Sequence, residues 1–155
     1  MRLDRIDLLI IKALQNDARL SNKELANNVG LAPSTCLERV RRLFKEKILL
    51  GSTIRVDPKA LGIGLQAMIA VQLGHHSRDV LERFHMHIAS LPEVVSVFHI
   101  GGRFDYLVHV AVRDADHLRD LALDAFTARS EVEHLETSLI FQFQSGTELP
   151  AYVDL

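Results

Sequence analysis

Between Ser21 and Pro33 the chain has room for a two-turn helix and a sharp reversal, and for little else. Ser21-Asn-Lys-Glu24 has the spacing of a capping box, in which serine and glutamate satisfy each other's free backbone amides at a helix start. Leu25, Ala26 and Val29 give the following turns one apolar face, and Gly30 stands where a helix ends in a left-handed residue. Leu31-Ala32-Pro33 then opens another helix, because proline is tolerated at a first helical position whose amide has no helical partner. Cys36, Val40 and Leu43 fall on one side of it, flanked by Leu37 and Phe44, and it is expected to end near Lys47. Upstream, Leu3, Ile6, Ile10 and Ala13/Leu14 recur at helical spacing, with Asp4, Asp7 and Lys12 on the other side. Asn16-Asp17 is a plausible stop.

Two short helices joined by a tight glycine turn make a helix-turn-helix. Any corner between two helices shares that pattern, so the outward face of the third helix decides its use. Ser34 and Thr35 sit at its N-terminus, where base edges are reached; Glu38, Arg39, Arg41, Arg42 and Lys45 lie further along, where phosphates run. The expected partner is double-stranded DNA. Cys36 faces inward and reads as a small buried hydrophobe. Thr-Ile-Arg-Val-Asp over 53–57 is expected to be a short strand, forming either a small wing with Ile48–Leu50 or the link to the next domain.

Charge divides the chain at the same place. Residues 1–60 hold 12 Lys/Arg against 7 Asp/Glu, whereas residues 61–155 hold 6 against 13. Opposite signs in the two halves point to two domains with different partners, expected at 1–60 and 61–155. With 25% charged and 48% hydrophobic residues the composition is that of globular domains, which excludes disordered and coiled-coil classes. The apolar stretches are too short to span a bilayer, and the first residues, Met1-Arg-Leu-Asp-Arg, lack the apolar run of a signal peptide. A cytoplasmic protein is the expectation. A single cysteine forms neither an internal disulfide nor a multi-cysteine zinc site.

The second half alternates in period. Leu65–Leu73 reads as a strand, Ser77–Ser90 as a helix, Val94–Ile100 and Phe104–Val112 as strands about a Gly101-Gly102-Arg103 turn. Asp114/Asp116 start a helix to about Ala128, and Glu133–Gln144 is the last strand. The order βαββαβ is the ferredoxin-like arrangement, an antiparallel sheet with both helices on one face. The fold class is therefore α+β: an N-terminal helix-turn-helix, winged-helix-like, and a C-terminal ferredoxin-like domain. The strands are nearly apolar on both sides, as in Leu107–Val112 and in Leu139, Ile140, Phe141 and Phe143. Sheet-on-sheet dimerisation is the simplest way to cover the second face.

These motifs together resemble the Lrp/AsnC (leucine-responsive/asparagine-responsive, feast/famine) regulator family. The resemblance rests on Leu3-Asp4-Arg5-Ile6-Asp7, Leu14-Gln15-Asn16-Asp17-Ala18-Arg19, Glu24-Leu25-Ala26, Val29-Gly30-Leu31 and Cys36-Leu-Glu-Arg39-Val40-Arg-Arg42-Leu43. It continues in Asp57-Pro58, Leu61-Gly62 and Gly102-Arg-Phe-Asp105-Tyr106. It implies a sequence-specific transcription regulator whose C-terminal domain takes a small effector, typically an amino acid, and homodimers that assemble further, often to octamers. The effector residues it implies are Gly101, Gly102, Arg103, Phe104, Asp105 and Thr137. Two positions depart from the family pattern: Ala32 where serine usually caps the helix, and Gly101 where threonine or serine usually precedes the glycine.

The physics of that loop suits a zwitterion. Glycine permits positive φ and close backbone approach, exposed amides can receive a carboxylate, and Asp105 can pair with an α-amino group. A tight hairpin with a solvated aspartate is the plainer alternative. An architectural DNA-wrapping protein without an effector is the alternative at the level of function. A third possibility, an enzyme or metal sensor, has little behind it. His85 and His87 lie two apart on a helix and point to different sides, and His75-His76 is a loop pair. No nucleophile–base pair or metal-ligand spacing occurs, so no catalytic residue, metal or cofactor is expected.

Overall fold

The computed structural model describes residues 3–75 and 77–153. Met1, Arg2, His76, Asp154 and Leu155 lie outside the described residues. The elements are α1 (Arg5–Asn16), α2 (Asn22–Val29), α3 (Pro33–Lys45), a single 3-10 turn (Pro58–Leu61), β1 (Leu65–Leu73), α4 (Arg78–Ala89), β2 (Val94–His99), β3 (Tyr106–Val112), α5 (Ala115–Leu121) and β4 (Val132–Leu139). They form two compact units, residues 3–55 with 144–153, and residues 56–143. The final segment, expected with the second domain, packs with the first unit instead. Gln15 and Asn16 on α1 supply the side-chain hydrogen bonds that hold it.

The first unit is built on two reciprocal caps. Asp4 and Asp7 cap α1, and Ser21 and Glu24 cap α2, each pair closing backbone and side chain on one another. Gly30 takes φ +70°, the left-handed conformation that reverses the chain, and the Leu31 amide donates back to the Ala26 carbonyl. Ile10, Leu25, Ala26, Val29, Cys36 and Leu43 form the buried core. Ala26 is fully buried, as a small residue must be where two helices cross closely. Pro33 opens α3, but Ala32 supplies no side-chain cap, a deficit of about 1 kcal/mol against serine.

Residues 53–57 form no strand. Among the described residues no second strand pairs with them, and Ile48 and Leu49 are used otherwise: their amides donate to the Leu43 carbonyl and end α3. The segment is irregular and exposed and serves as the link.

In the second unit the sheet order is β2-β3-β1-β4, all neighbours antiparallel. Ile69 on β1 stands opposite Val108 on β3 and Thr137 on β4. Strand alternation puts Ala67, Ile69, Val71 and Leu73 on one face, where they pack with Phe84 and Ile88 of α4 and Leu118 and Leu121 of α5. Each of the larger buried side chains, valine and above, contributes roughly 1.5–3 kcal/mol. Gly64 leads into β1 where a Cβ would stand 2.3 Å from the Arg113 carbonyl oxygen, so only glycine fits. After Leu121 the helix widens into a π turn, Ala122–Thr127, whose Ala125 carbonyl bonds the His87 ring at 2.9 Å.

β4 ends at Leu139, earlier than the expected Gln144. The last ladder bond runs from the Ile140 amide to the Gln66 carbonyl, one residue from the start of β1, so the partner strand runs out. Phe141 and Phe143 are therefore exposed beyond the strand rather than part of a doubly apolar sheet. The face away from the helices is mixed: Met68, Ala70, Leu107 and Phe98 share it with Gln66 and His109, which bond each other at 2.8 Å.

Candidate nucleic-acid interface and effector hairpin

On α3, Cys36 and Leu43 are buried, and Ser34, Thr35, Glu38, Arg41 and Lys45 are exposed. The exposed residues run from small and polar at the N-terminus to cationic at the C-terminus, an order suited to base edges first and phosphates after. Burial raises the Cys36 thiol above its usual range, so it is an inert core residue.

Arg39 and Arg42, expected at phosphates, also make bonds within the first unit. Asp7, expected on the solvent side of α1, is 1% exposed. A buried carboxylate needs compensating charge, and these arginines supply it. Arg39 Nη1 donates to Asp7 Oδ1 at 2.8 Å and to Asp4 Oδ2 at 2.7 Å. Arg42 Nη2 donates to both oxygens of Asp7 at 2.7 Å. The Asp4 side chain, bonded by the Asp7 amide and by Arg39, has its pKa lowered, and Arg39 is raised in turn by Asp4 and Asp7. The two arginines are thus spent first on joining α3 to α1. This pairing spans more than thirty residues of chain and has no local signature.

The hairpin between β2 and β3 holds the residues expected to take an effector. Gly102 has φ +132°, whereas Gly101 needs no positive φ and has open space about it. The Asp105 backbone bonds Ile100 and Val71, and its Oδ2 accepts the Leu73 amide at 2.8 Å. The carboxylate therefore ties the hairpin to the end of β1. Arg103 reaches β4, 3.1 Å from Glu136, and its guanidinium stands 5.1 Å over the Phe104 ring. Phe104 stacks on His134, whose ring bonds Glu136 at 3.2 Å.

Arg103, Phe104, His134 and Glu136 are thus brought together, and the last two were not anticipated. Residues 134 and 136 share a strand face by alternation, the signal that would have paired them. Thr137 is not part of this cluster. It stands opposite Ile69 on the other face, exposed at the edge strand. Behind the hairpin, Tyr106 is buried with its hydroxyl on the Leu81 carbonyl, and His99 stacks on its ring at 4.8 Å. Burial, and then the Asp105 charge, raise the Tyr106 pKa. Among the described residues no three His, Cys, Asp or Glu side chains gather to hold a metal. No helix there is long and apolar enough to cross a membrane.

Comparison with known proteins gives both units a counterpart. Residues 3–43 match the AsnC-type helix-turn-helix domain, and residues 66–145 match the Lrp/AsnC ligand binding domain. The HTH-type transcriptional regulator AldR of Mycolicibacterium smegmatis is 44% identical over 144 residues, covering 93% of this chain and 84% of that protein. The leucine-responsive regulatory protein of Escherichia coli is 35% identical over 140 residues, covering 90% and 85%. Among solved structures, a transcriptional regulator of Neisseria meningitidis in complex with L-Met superposes with a TM-score of 0.87 at 32% identity, covering 96% of each chain.

Proposed function

Because the chain belongs to the Lrp/AsnC family of transcriptional regulators, with a DNA-binding helix-turn-helix domain and a ligand-binding domain, we propose that it reads operator sequence through Ser34 and Thr35 and answers to an amino acid held at the Gly101–Asp105 hairpin. The exposed N-terminus of α3, on a helix buttressed from behind by Asp7, is the observation that carries the DNA reading. Arg41 and Lys45 hold phosphates, and Glu38 screens the choice of base.

An amino acid fits the hairpin on chemical grounds. Gly102 gives close backbone approach for a carboxylate, Asp105 offers charge to an ammonium group, and Arg103 and Phe104 bound the approach from β4. The L-Met complex of the Neisseria relative supports that class of ligand. The helical unit, residues 3–55 with 144–153, serves DNA binding, and the sheet unit, 56–143, serves effector binding and self-association. The mixed open face of the sheet supports a homodimer, assembling to an octamer in the cytoplasm.

A second reading is an architectural DNA-wrapping protein without an effector. It is favoured by the Asp105–Leu73 bond, which gives the carboxylate a structural use. Titrating amino acids against DNA affinity, with calorimetry on the free protein, separates the two. Tight binding of one amino acid that shifts DNA affinity supports the first, and no binding across the panel supports the second.

A further inference from the structure

We infer that Asp7 is a positioning residue for DNA recognition, holding Arg39 and Arg42 in fixed outward poses while cancelling their charge, so that sequence discrimination is gained at the expense of indiscriminate phosphate attraction. The inference rests on the assignment of α3 as the DNA-reading helix and concerns how that helix is presented.

The geometry is unusual for a surface helix. Asp7 is almost wholly buried, yet it is met by two guanidiniums three residues apart on one face of α3. Each arginine commits a single terminal nitrogen, Nη1 of Arg39 and Nη2 of Arg42, to the aspartates. A guanidinium is a rigid fork of five N–H donors, so a nitrogen held at two carboxylate oxygens restricts the directions open to the rest. Thr35, Glu38, Arg39 and Arg42 together line a shallow depression on the exposed side of α3. The donors are therefore oriented before DNA arrives, and little side-chain freedom remains to be lost.

Charge works in the same direction. Asp4 and Asp7 balance Arg39 and Arg42, and Glu38 adds a negative charge at the rim. A cluster without excess positive charge draws no phosphate over distance. What it offers is directional hydrogen bonding, which rewards a correctly placed backbone and neglects a misplaced one.

The test compares the full-length protein with Asp7→Asn on two duplexes. One is enriched from a random-sequence pool by the wild-type protein, and the other is a scramble of it. Affinities are followed across salt by fluorescence anisotropy. Asn keeps the shape and loses the charge. The expected result is a ratio of enriched to scrambled affinity reduced about tenfold or more, with tighter binding of the scrambled duplex and a salt slope steeper by about one unit, as a released arginine finds a phosphate. A merely structural role would weaken both duplexes alike and leave the slope unchanged, and that result overturns the proposal.

Asp4→Asn provides a second variant should Asp7→Asn not fold. Asn caps a helix as Asp does, and the exposed Asp4 contacts only Arg39 of the pair. The same changes are expected, in the same direction and smaller; an unchanged ratio and slope count against the proposal. If wild type itself enriches no sequence, the sequence-reading assignment falls and this inference falls with it. If wild type discriminates and the variants do so equally, only the role of Asp7 falls.

Discussion

Glu148 reaches back to Asn16, its Oε1 accepting the Asn16 side-chain amide at 2.7 Å, although 132 residues of chain separate them. Lys12 stands 3.6 Å from the same carboxylate, and the Leu149 amide donates to Gln15 Oε1 at 2.7 Å. The Asn16 bond, then the Lys12 charge, hold the Glu148 pKa below its ordinary value of 4.5. A carboxylate depressed in the folded state stabilises the fold fully above its unfolded pKa, and that stability is lost as pH falls through the folded one. Glu148→Gln should therefore lower the melting temperature at neutral pH, with the difference from wild type shrinking as pH falls below the ordinary glutamate value of 4.5. Paired thermal melts across pH read this directly. A constant offset at every pH would mean that the carboxylate charge contributes nothing.

Thr35→Ala and Arg41→Ala should fail in different ways. Thr35→Ala should change which sequences are enriched from a random pool, with little effect on scrambled duplex. Arg41→Ala should weaken every duplex alike and flatten the salt slope by about one unit. Equal losses on enriched and scrambled DNA for both variants would argue against division of labour along α3.

Asp105→Asn separates charge from hairpin structure, because an amide oxygen still accepts the Leu73 N–H. Loss of a charge-assisted bond to an ammonium group, about 1.5–3 kcal/mol, should weaken amino-acid binding roughly tenfold to a hundredfold. DNA affinity without effector should stay within a few-fold. Calorimetry of both proteins against an amino-acid panel decides it, and equal binding by the variant would leave Asp105 as a turn residue only.

His109 should give the second unit a pH dependence. It is 5% exposed, and desolvation depresses its pKa below the ordinary 6.5. Its neutral ring is stabilising above that value; as pH falls through it, the unfolded chain takes up a proton first and stability declines. His109→Gln should flatten the unfolding free energy between about pH 5 and 7 relative to wild type. Parallel chemical-denaturation profiles would assign the slope to other histidines.

Ala32→Ser should stabilise the first unit by about 1 kcal/mol by supplying the cap that α3 lacks. Denaturant midpoints measure it, and an unchanged midpoint would show that Pro33 already organises the helix start.

What could be read along the chain was what depends on near neighbours. The Ser21–Glu24 box, the Gly30 reversal and the alternation of β1 are set within a few residues, and each is found where its local chemistry puts it. The fate of Arg39 and Arg42 was not legible, because a guanidinium on an exposed helix face looks the same whether its partner is a phosphate or an aspartate on another helix. The end of β4 was hidden for a related reason. Ile140, Phe141 and Phe143 have good strand propensity, but a strand lasts only as long as its neighbour, and β1 begins at Leu65. At the hairpin, Arg103 and Phe104 belong to a local motif, whereas His134 and Glu136 are joined to them by sheet register.

The first unit is written in two pieces, residues 3–55 and 144–153, with the whole second unit between them. A ribosome therefore delivers the three helices before the second unit and the segment that bonds α1 after it. Until residues 148–153 emerge, the groove that they line with Leu8, Leu9 and Ile11 of α1 stays open. Until then α1 lacks the bonds that this segment makes to Gln15 and Asn16 and the ion pair with Lys12. A nascent chain stalled before Gln144 holds all three helices and lacks the segment that bonds the C-terminal end of α1.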